Sequence, residues 1–197
     1  MIVTTARFDQ YQLIIMANAS KNNTPKLTEV NWLVEGQSWR HSKSFAKLKK
    51  HYQLSDDDFI FIDKNDLNSN DATQSLLLTA IDQLYEYTNG KRNTFALPLD
   101  ISLGTEFQQQ VWQALQGINH GETISYATLA KRIGNPKGFR AVANANGKNP
   151  FSIIIPCHRV IASDGKLGGY TGGLDKKRYL LELEGSMSVI YLSLRGR

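Results

Sequence analysis

Apolar residues along this chain follow two rhythms, and the change between them falls near residue 100. Short runs rich in β-branched and aromatic residues come first, at residues 2–5, 11–16 and 30–34, and predict strands. Polar stretches at residues 21–25 and 65–70 predict loops, and Asp56, Asp57 and Asp58 predict a solvated turn. Residues 42–51 predict a short basic helix with Phe45 and Leu48 on one side. Residues 73–88 carry Leu77, Ile81, Leu84 and Tyr85 at helical spacing, with Gly90 just past the end. Phe95, Leu97 and Leu99 then alternate as in a short extended segment.

Beyond residue 100 the helical rhythm dominates. Thr105-Glu106-Phe107-Gln108 has the form of a capping box, ahead of Phe107, Val111 and Leu115 on one helix face. Ser125 is placed to cap a helix holding Tyr126, Leu129, Ala130 and Ile133. Gly134 to Gly138 breaks it, and an alanine-rich helix over residues 139–146, with Arg140 near its start, runs to Gly147. Two short helices around a tight break form a helix-turn-helix candidate, although many such hairpins bind nothing. Ser163-Asp164-Gly165 predicts a turn, and Gly168 to Gly173 holds four glycines in six residues. A last helix is expected over residues 175–184, closed by Gly185. A tail follows over residues 186–197, with a strand candidate at 189–194.

These patterns predict an α/β (α+β) chain. A mixed α/β structural domain spans residues 1–97 and a linker spans 98–104. A mostly helical domain spans 105–197 and carries a short strand-turn with the chain's only cysteine. That cysteine lies in Ile155-Pro156-Cys157-His158-Arg159-Val160, behind the apolar run Ile153-Ile154-Ile155, which predicts a thiol at the end of a buried strand. A lone cysteine is more often a small buried hydrophobe than a nucleophile. Only the thiolate attacks, and an unperturbed thiol is about 3% ionised at pH 7. Adjacent His158 does not settle the matter, because neighbouring side chains on a strand point to opposite faces.

Charge sharpens the picture. Residues 1–100 hold 11 Lys and Arg against 12 Asp and Glu, a net of −1; residues 101–197 hold 12 against 6, a net of +6. The basic excess lies in the half that holds Cys157, as expected for a polyanion partner. One cysteine excludes a disulfide framework and a cysteine-based zinc site, and the four histidines lack metal-ligand spacing, so no metal or cofactor is expected. No apolar run reaches about 18 residues, and the first residues lack a signal-peptide layout, so a cytoplasmic protein without a membrane partner is expected.

Several separated motifs then converge: ISYATLA at 124–130, NPKGFRAVANANGKNP at 135–150, IPCHRV at 155–160, GGYTGGL at 168–174 and KKRYLLELEG at 176–185. From Phe107 to Gly185 the chain resembles the O6-alkylguanine-DNA alkyltransferases, which repair alkylated DNA by taking the alkyl group onto themselves. The resemblance implies Cys157 as alkyl acceptor, His158 as its base through a water, and Glu184 as the group that orients His158. It implies that Tyr126 donates a proton to the leaving guanine and that Asn149 pins the turn before the cysteine. Arg140 would fill the gap left by a flipped nucleotide, with Ala141, Ala145 and Tyr126 also at the DNA. Val160, Tyr170, Thr171 and Ser152 would line the base pocket, and the small Ser152 would admit alkyl groups larger than methyl. The implied partner is double-stranded DNA carrying alkylated guanine, met by a monomer that binds the minor groove and reacts once. A sister group lacks the cysteine, which this chain keeps.

Two rival readings fit the same residues. A cysteine hydrolase would need an oxyanion hole and turnover, and it leaves Arg140 unexplained. A lesion-binding module without chemistry would bind damaged DNA equally well without Cys157.

Overall fold

The computed structural model describes residues 1–19, 24–34, 36, 38–41 and 44–187. It divides into two compact units, Met1–Leu103 and Gly104–Arg197.

In the first unit, strands β1 (Ile2–Phe8) and β2 (Tyr11–Ala19) form an antiparallel hairpin. Its turn places Asp9 at φ 51°. Strand β3 (Pro25–Leu33) pairs antiparallel with β2, with a bulge between Met16 and Ala17. The two-residue β4 (Ile60–Phe61) runs parallel to β1, giving the order β3-β2-β1-β4.

Side-chain alternation along β2 explains why two helices are needed. Ile14 and Met16, with Val3 of β1, form one cluster with Phe45 and Leu48 of helix α1 (Phe45–Tyr52). Leu13, Ile15 and Ala17 alternate with them and are also fully buried. Helix α2 (Ala72–Thr88) packs across β1, β2 and β3. Residues 42–43 of the expected helix and 21–23 of the expected loop lie outside the described residues. The alternation at Phe95, Leu97 and Leu99 does not make a strand; only Leu99 bridges to Leu27. The reason is local: the backbone of Ala96 bonds both ways with the Gln83 side chain (3.0 and 3.4 Å) instead of with a neighbouring strand.

Glu29 of β3 is buried in this unit. It accepts hydrogen bonds from Ser44 Oγ (2.5 Å) and Asn31 Nδ2 (3.5 Å), and its Oε2 has no partner. Burial pushes its carboxyl up to about 7 against those two bonds. The folded state therefore holds the proton more tightly than the unfolded chain. This contribution is complete below the unfolded carboxyl value and is lost as pH rises through about 7. Between pH 5 and 8 the loss is expected to reach about 3 kcal/mol, with Glu29→Gln removing it. Urea unfolding of both proteins at the two pH values measures this. Parallel pH dependences would assign the effect to another group.

In the second unit, the Thr105/Gln108 capping box opens α3 (Glu106–Gln116). Strand β5 (Ile124–Ser125) leads into α4 (Tyr126–Arg132), whose first turn is capped by Ser125 Oγ accepting from Thr128 N (3.0 Å). Gly134, at φ 74°, turns the chain toward α5 (Phe139–Gly147). Helix α3 packs on α4 and α5, and Trp112 Nε1 donates to the Ala145 carbonyl at 2.9 Å. The predicted helix-turn-helix is therefore present as a packed pair on a third helix.

The segment before the cysteine differs from expectation. Residues 153–155 form turns rather than a strand; Cys157–Arg159 is a single 3-10 turn, and the short strand β6 (Val160–Ile161) comes after it, parallel to β5. Two causes act. Ile153 sits at φ 72°, outside the extended region. The Asn149 side chain also occupies this segment's backbone groups, donating to Ile155 O (2.8 Å) and Phe151 O (3.3 Å) and accepting from Phe151 N (3.0 Å). Helix α6 (Leu174–Leu183) completes the unit. Of the expected tail only Ser186 and Met187 are described, so the strand expected at 189–194 lies outside.

Among the described residues no helix is long and apolar enough to cross a membrane, and no group of three His, Cys, Asp or Glu is placed to hold a metal ion.

Candidate active site

Cys157 opens the 3-10 turn and is 5% exposed. Its Sγ accepts a hydrogen bond from Asn149 Nδ2 at 3.1 Å, and its carbonyl accepts from Asn146 Nδ2 at 3.3 Å. Asn149 thus ties together the turn backbone and the thiol it presents. Burial pushes the thiol up, opposed by the Asn149 bond and by the charge of Lys177.

The next residue completes a buried polar row. His158 and the Glu184 carboxylate are both inaccessible to solvent, with Nε2 and Oε1 3.0 Å apart. His158 Nδ1 has no protein partner. Burial holds the imidazole below its ordinary value, against the pull of Glu184. Burial also drives Glu184 upward, but bonds from His158 and Arg159 outweigh it and leave the carboxyl well below the usual range. Burial thus works against the charged forms of the thiol and the imidazole, while the neighbouring groups favour the ionised Glu184 carboxylate.

Two cations that carry this arrangement were not singled out from the sequence. Arg159 Nε lies 3.1 and 3.0 Å from the two Glu184 oxygens, Nη2 lies 2.7 Å from Oε1, and Nη1 donates to Ile118 O at 2.6 Å. This forked pair satisfies a carboxylate that burial would otherwise penalise. Lys177 is fully buried on α6, and its Nζ donates to the carbonyls of Val160 (2.6 Å), Leu167 and Gly169 (3.4 Å). Desolvation lowers it to about 8, opposed by Cys157. Lys177 thus clamps β6 and the glycine loop onto α6 and brings positive charge to the thiol. Arg159 could have been noticed from its place beside Cys157 and His158. Lys177 gave no spacing signal.

The remaining site residues are placed as follows. Tyr126 is half-buried at the start of α4, donates to Gly169 O at 3.3 Å, and has its ring 6.0 Å from Lys177 Nζ. Burial, then the charge of Cys157, pushes its phenol up, so it stays protonated and able to donate. A Cβ at Gly168 would come within 3.1 Å of the Tyr126 ring, which explains a glycine there. Thr171 Oγ1 donates to Gly147 O at 2.5 Å, latching the glycine loop to the end of α5. Tyr170 lies in the same loop, Ser152 is buried in the turn before Cys157, and the Val160 carbonyl already accepts from Lys177. On α5, Arg140 and Ala141 are exposed. Ala145 is not: it is 2% exposed on the inward side of α5, its carbonyl accepts from Trp112 Nε1, and its side chain offers almost no surface for the DNA contact expected of it. The inward stripe of α5 is Val142, Ala145 and Asn146.

Fold and site together define a protein with a buried, hydrogen-bonded cysteine in the same unit as a helix-turn-helix pair. Residues 106–186 match the family model described as the 6-O-methylguanine DNA methyltransferase, DNA binding domain. The chain is 53% identical over 115 residues to the methylated-DNA–protein-cysteine methyltransferase of Mycobacterium tuberculosis strain H37Rv, covering 58% of this chain and 69% of that one. It is 55% identical over 104 residues to the protein of the same name from Methanosarcina acetivorans, covering 53% and 66%. A crystal structure of Mycobacterium tuberculosis OGT in complex with DNA superposes with a TM-score of 0.69 at 36% identity, covering 94% of each chain. The chain belongs to the methylated-DNA–protein-cysteine methyltransferase family.

Proposed function

We propose that this protein repairs double-stranded DNA by moving the alkyl group of O6-alkylguanine, and of O4-alkylthymine, onto Cys157, once per molecule. The observation that carries this reading is the site itself: a buried thiol fixed by Asn149, with the His158–Glu184–Arg159 row behind it.

The lesion's alkyl carbon lies inside the base stack, so the nucleotide must leave the duplex to reach a buried thiol. Arg140, exposed at the start of α5, fills the space the nucleotide vacates, with Ala141 close to the groove. The flipped base enters beside Tyr126 and beneath the loop of Tyr170 and Thr171. Its exocyclic amine meets the backbone at Cys157 and Val160, whose carbonyl has a second lone pair beyond the one Lys177 uses. Ser152 leaves room for alkyl groups larger than methyl.

The Cys157 proton passes through one water to His158 Nδ1, and the ionised Glu184 stabilises the imidazolium that forms. Sulfur attacks the alkyl carbon, the carbon–oxygen bond breaks, and the guanine leaves with a proton from the Tyr126 hydroxyl. The product thioether is not readily hydrolysed, so the site is spent. Such a protein works as a monomer in the cytoplasm, at the nucleoid.

The test counts repaired bases. With duplex carrying a single O6-methylguanine in excess, restored guanine should rise to one per protein and stop, and fresh DNA should yield no more. Continued turnover would contradict single transfer.

A further inference from the structure

In the second unit the large apolar side chains are mostly buried, and Phe139 is an exception at 47% exposure. It is the first residue of α5, directly before Arg140, whose guanidinium carbon lies 5.8 Å from its ring centroid. Its position is fixed by the turn before it. Gly138 N donates to Asn135 O at 2.9 Å, Val142 N donates to Gly138 O at 3.0 Å, and a Cβ at Gly138 would collide with the Asn135 side chain.

Helix geometry relates Phe139 to the exposed face. At about 100° per residue, Arg140, Ala141, Asn144 and Lys148 share one exposed arc of about 100°. By the same count Phe139 lies about 100° from Arg140 and nearer to the inward-facing Val142 and Asn146, so its place at the exposed tip of the helix, rather than a shared face, sets its ring beside Arg140. Lys137 is exposed just upstream, and the surrounding half of the chain carries the +6 excess. An aromatic ring held in water at the tip of such a helix loses solvent-exposed apolar area when it enters a duplex. Apolar wedges inserted between base steps are a general means of unstacking and kinking DNA from the minor groove.

We infer that Phe139 is a second wedge: it presses into the base step next to the gap filled by Arg140, holding the duplex open while the lesion is out. This rests on the reading of α5 as the helix that meets DNA. The occupant is the duplex, because the exposed ring stands beside the Arg140 guanidinium at the helix tip and is set among positive charge.

The test uses the full chain and four proteins: wild type, Phe139→Ala, Phe139→Leu and Arg140→Ala. Two readouts are taken. One is the transfer rate at subsaturating protein, on a duplex with one O6-methylguanine and on free O6-benzylguanine. The other is the fluorescence of 2-aminopurine placed one pair from the lesion. Phe139→Ala is expected to slow duplex transfer about tenfold, leave the free-base rate unchanged, and lose most of the 2-aminopurine rise. Phe139→Leu, still an apolar wedge, is expected to keep most of both. Duplex transfer within twofold of wild type for Phe139→Ala would overturn the proposal. So would Phe139→Leu behaving like Phe139→Ala, which would mean that the ring acts only by orienting Arg140. Arg140→Ala separates the two levels: if it leaves duplex transfer unchanged, the reading of α5 itself fails. Thermal unfolding of each variant within a few degrees of wild type guards against misfolding, as expected for changes at an exposed position.

Discussion

Cys157→Ala is expected to lose alkyl transfer to background and keep its affinity for duplex DNA. On the proposed reading Sγ is the alkyl acceptor, and to the turn it contributes one hydrogen-bond acceptor. Removing Sγ takes one acceptor from Asn149 Nδ2, but that amide still reaches Ile155 O at 2.8 Å and Phe151 O at 3.3 Å. The turn therefore keeps its ties, and α5 is untouched. Transfer measured with labelled methyl groups, beside a binding titration at fixed salt, checks both halves. The salt must be fixed because phosphate contacts weaken steeply as it rises. Residual transfer would move the acceptor away from Cys157.

Glu184→Gln should have the second largest effect, and it should appear in two separable readouts. Glu184 is the counter-charge of Arg159, which is itself buried, so the substitution leaves an uncompensated buried cation. Breaking such a pair costs about 3–5 kcal/mol. It also removes the charge that stabilises protonated His158, so the thiol gives up its proton less readily. The rising limb of the pH–rate profile should move up by about one unit, which is about tenfold in rate near neutral pH. The double variant Glu184→Gln/Arg159→Met removes both charges. It should recover most of the lost stability and none of the lost rate. An unchanged pH–rate profile in Glu184→Gln would refute the proton relay, whatever happens to stability.

How much of this was legible in the chain depends on what held each part in place. Helices α2, α3 and α4 were legible because their apolar residues recur at helical spacing and because Ser125 and the Thr105/Gln108 pair are local caps. The strands were legible in kind, but β3 begins at Pro25, within the expected loop. That residues 153–155 turn instead of forming a strand was not legible from their apolar pattern. Three isoleucines favour a strand, and the positive φ of Ile153 and the bonds of the Asn149 side chain across the turn make the turned backbone the better solution. Phe95, Leu97 and Leu99 misled for the same reason, with Gln83 supplying the competing bonds.

Within the site, Cys157, His158, Glu184, Tyr126 and Asn149 were named from motifs and are brought together. Arg159 and Lys177 escaped because a buried cation is recognised by its partners, which lie 25 and 17 residues away for Glu184 and Val160. Ala145 was misassigned because the alanines of α5 look alike in sequence, and only packing against α3 separates inward from outward ones.

The most direct measurement is the intact mass of the protein after mixing with a duplex that carries one O6-methylguanine. A gain of one methylene, mapped to the Cys157 peptide and stopping at one equivalent, is the predicted result. Tight binding of the damaged duplex with no change in mass would contradict it, and would leave a lesion-binding protein without chemistry.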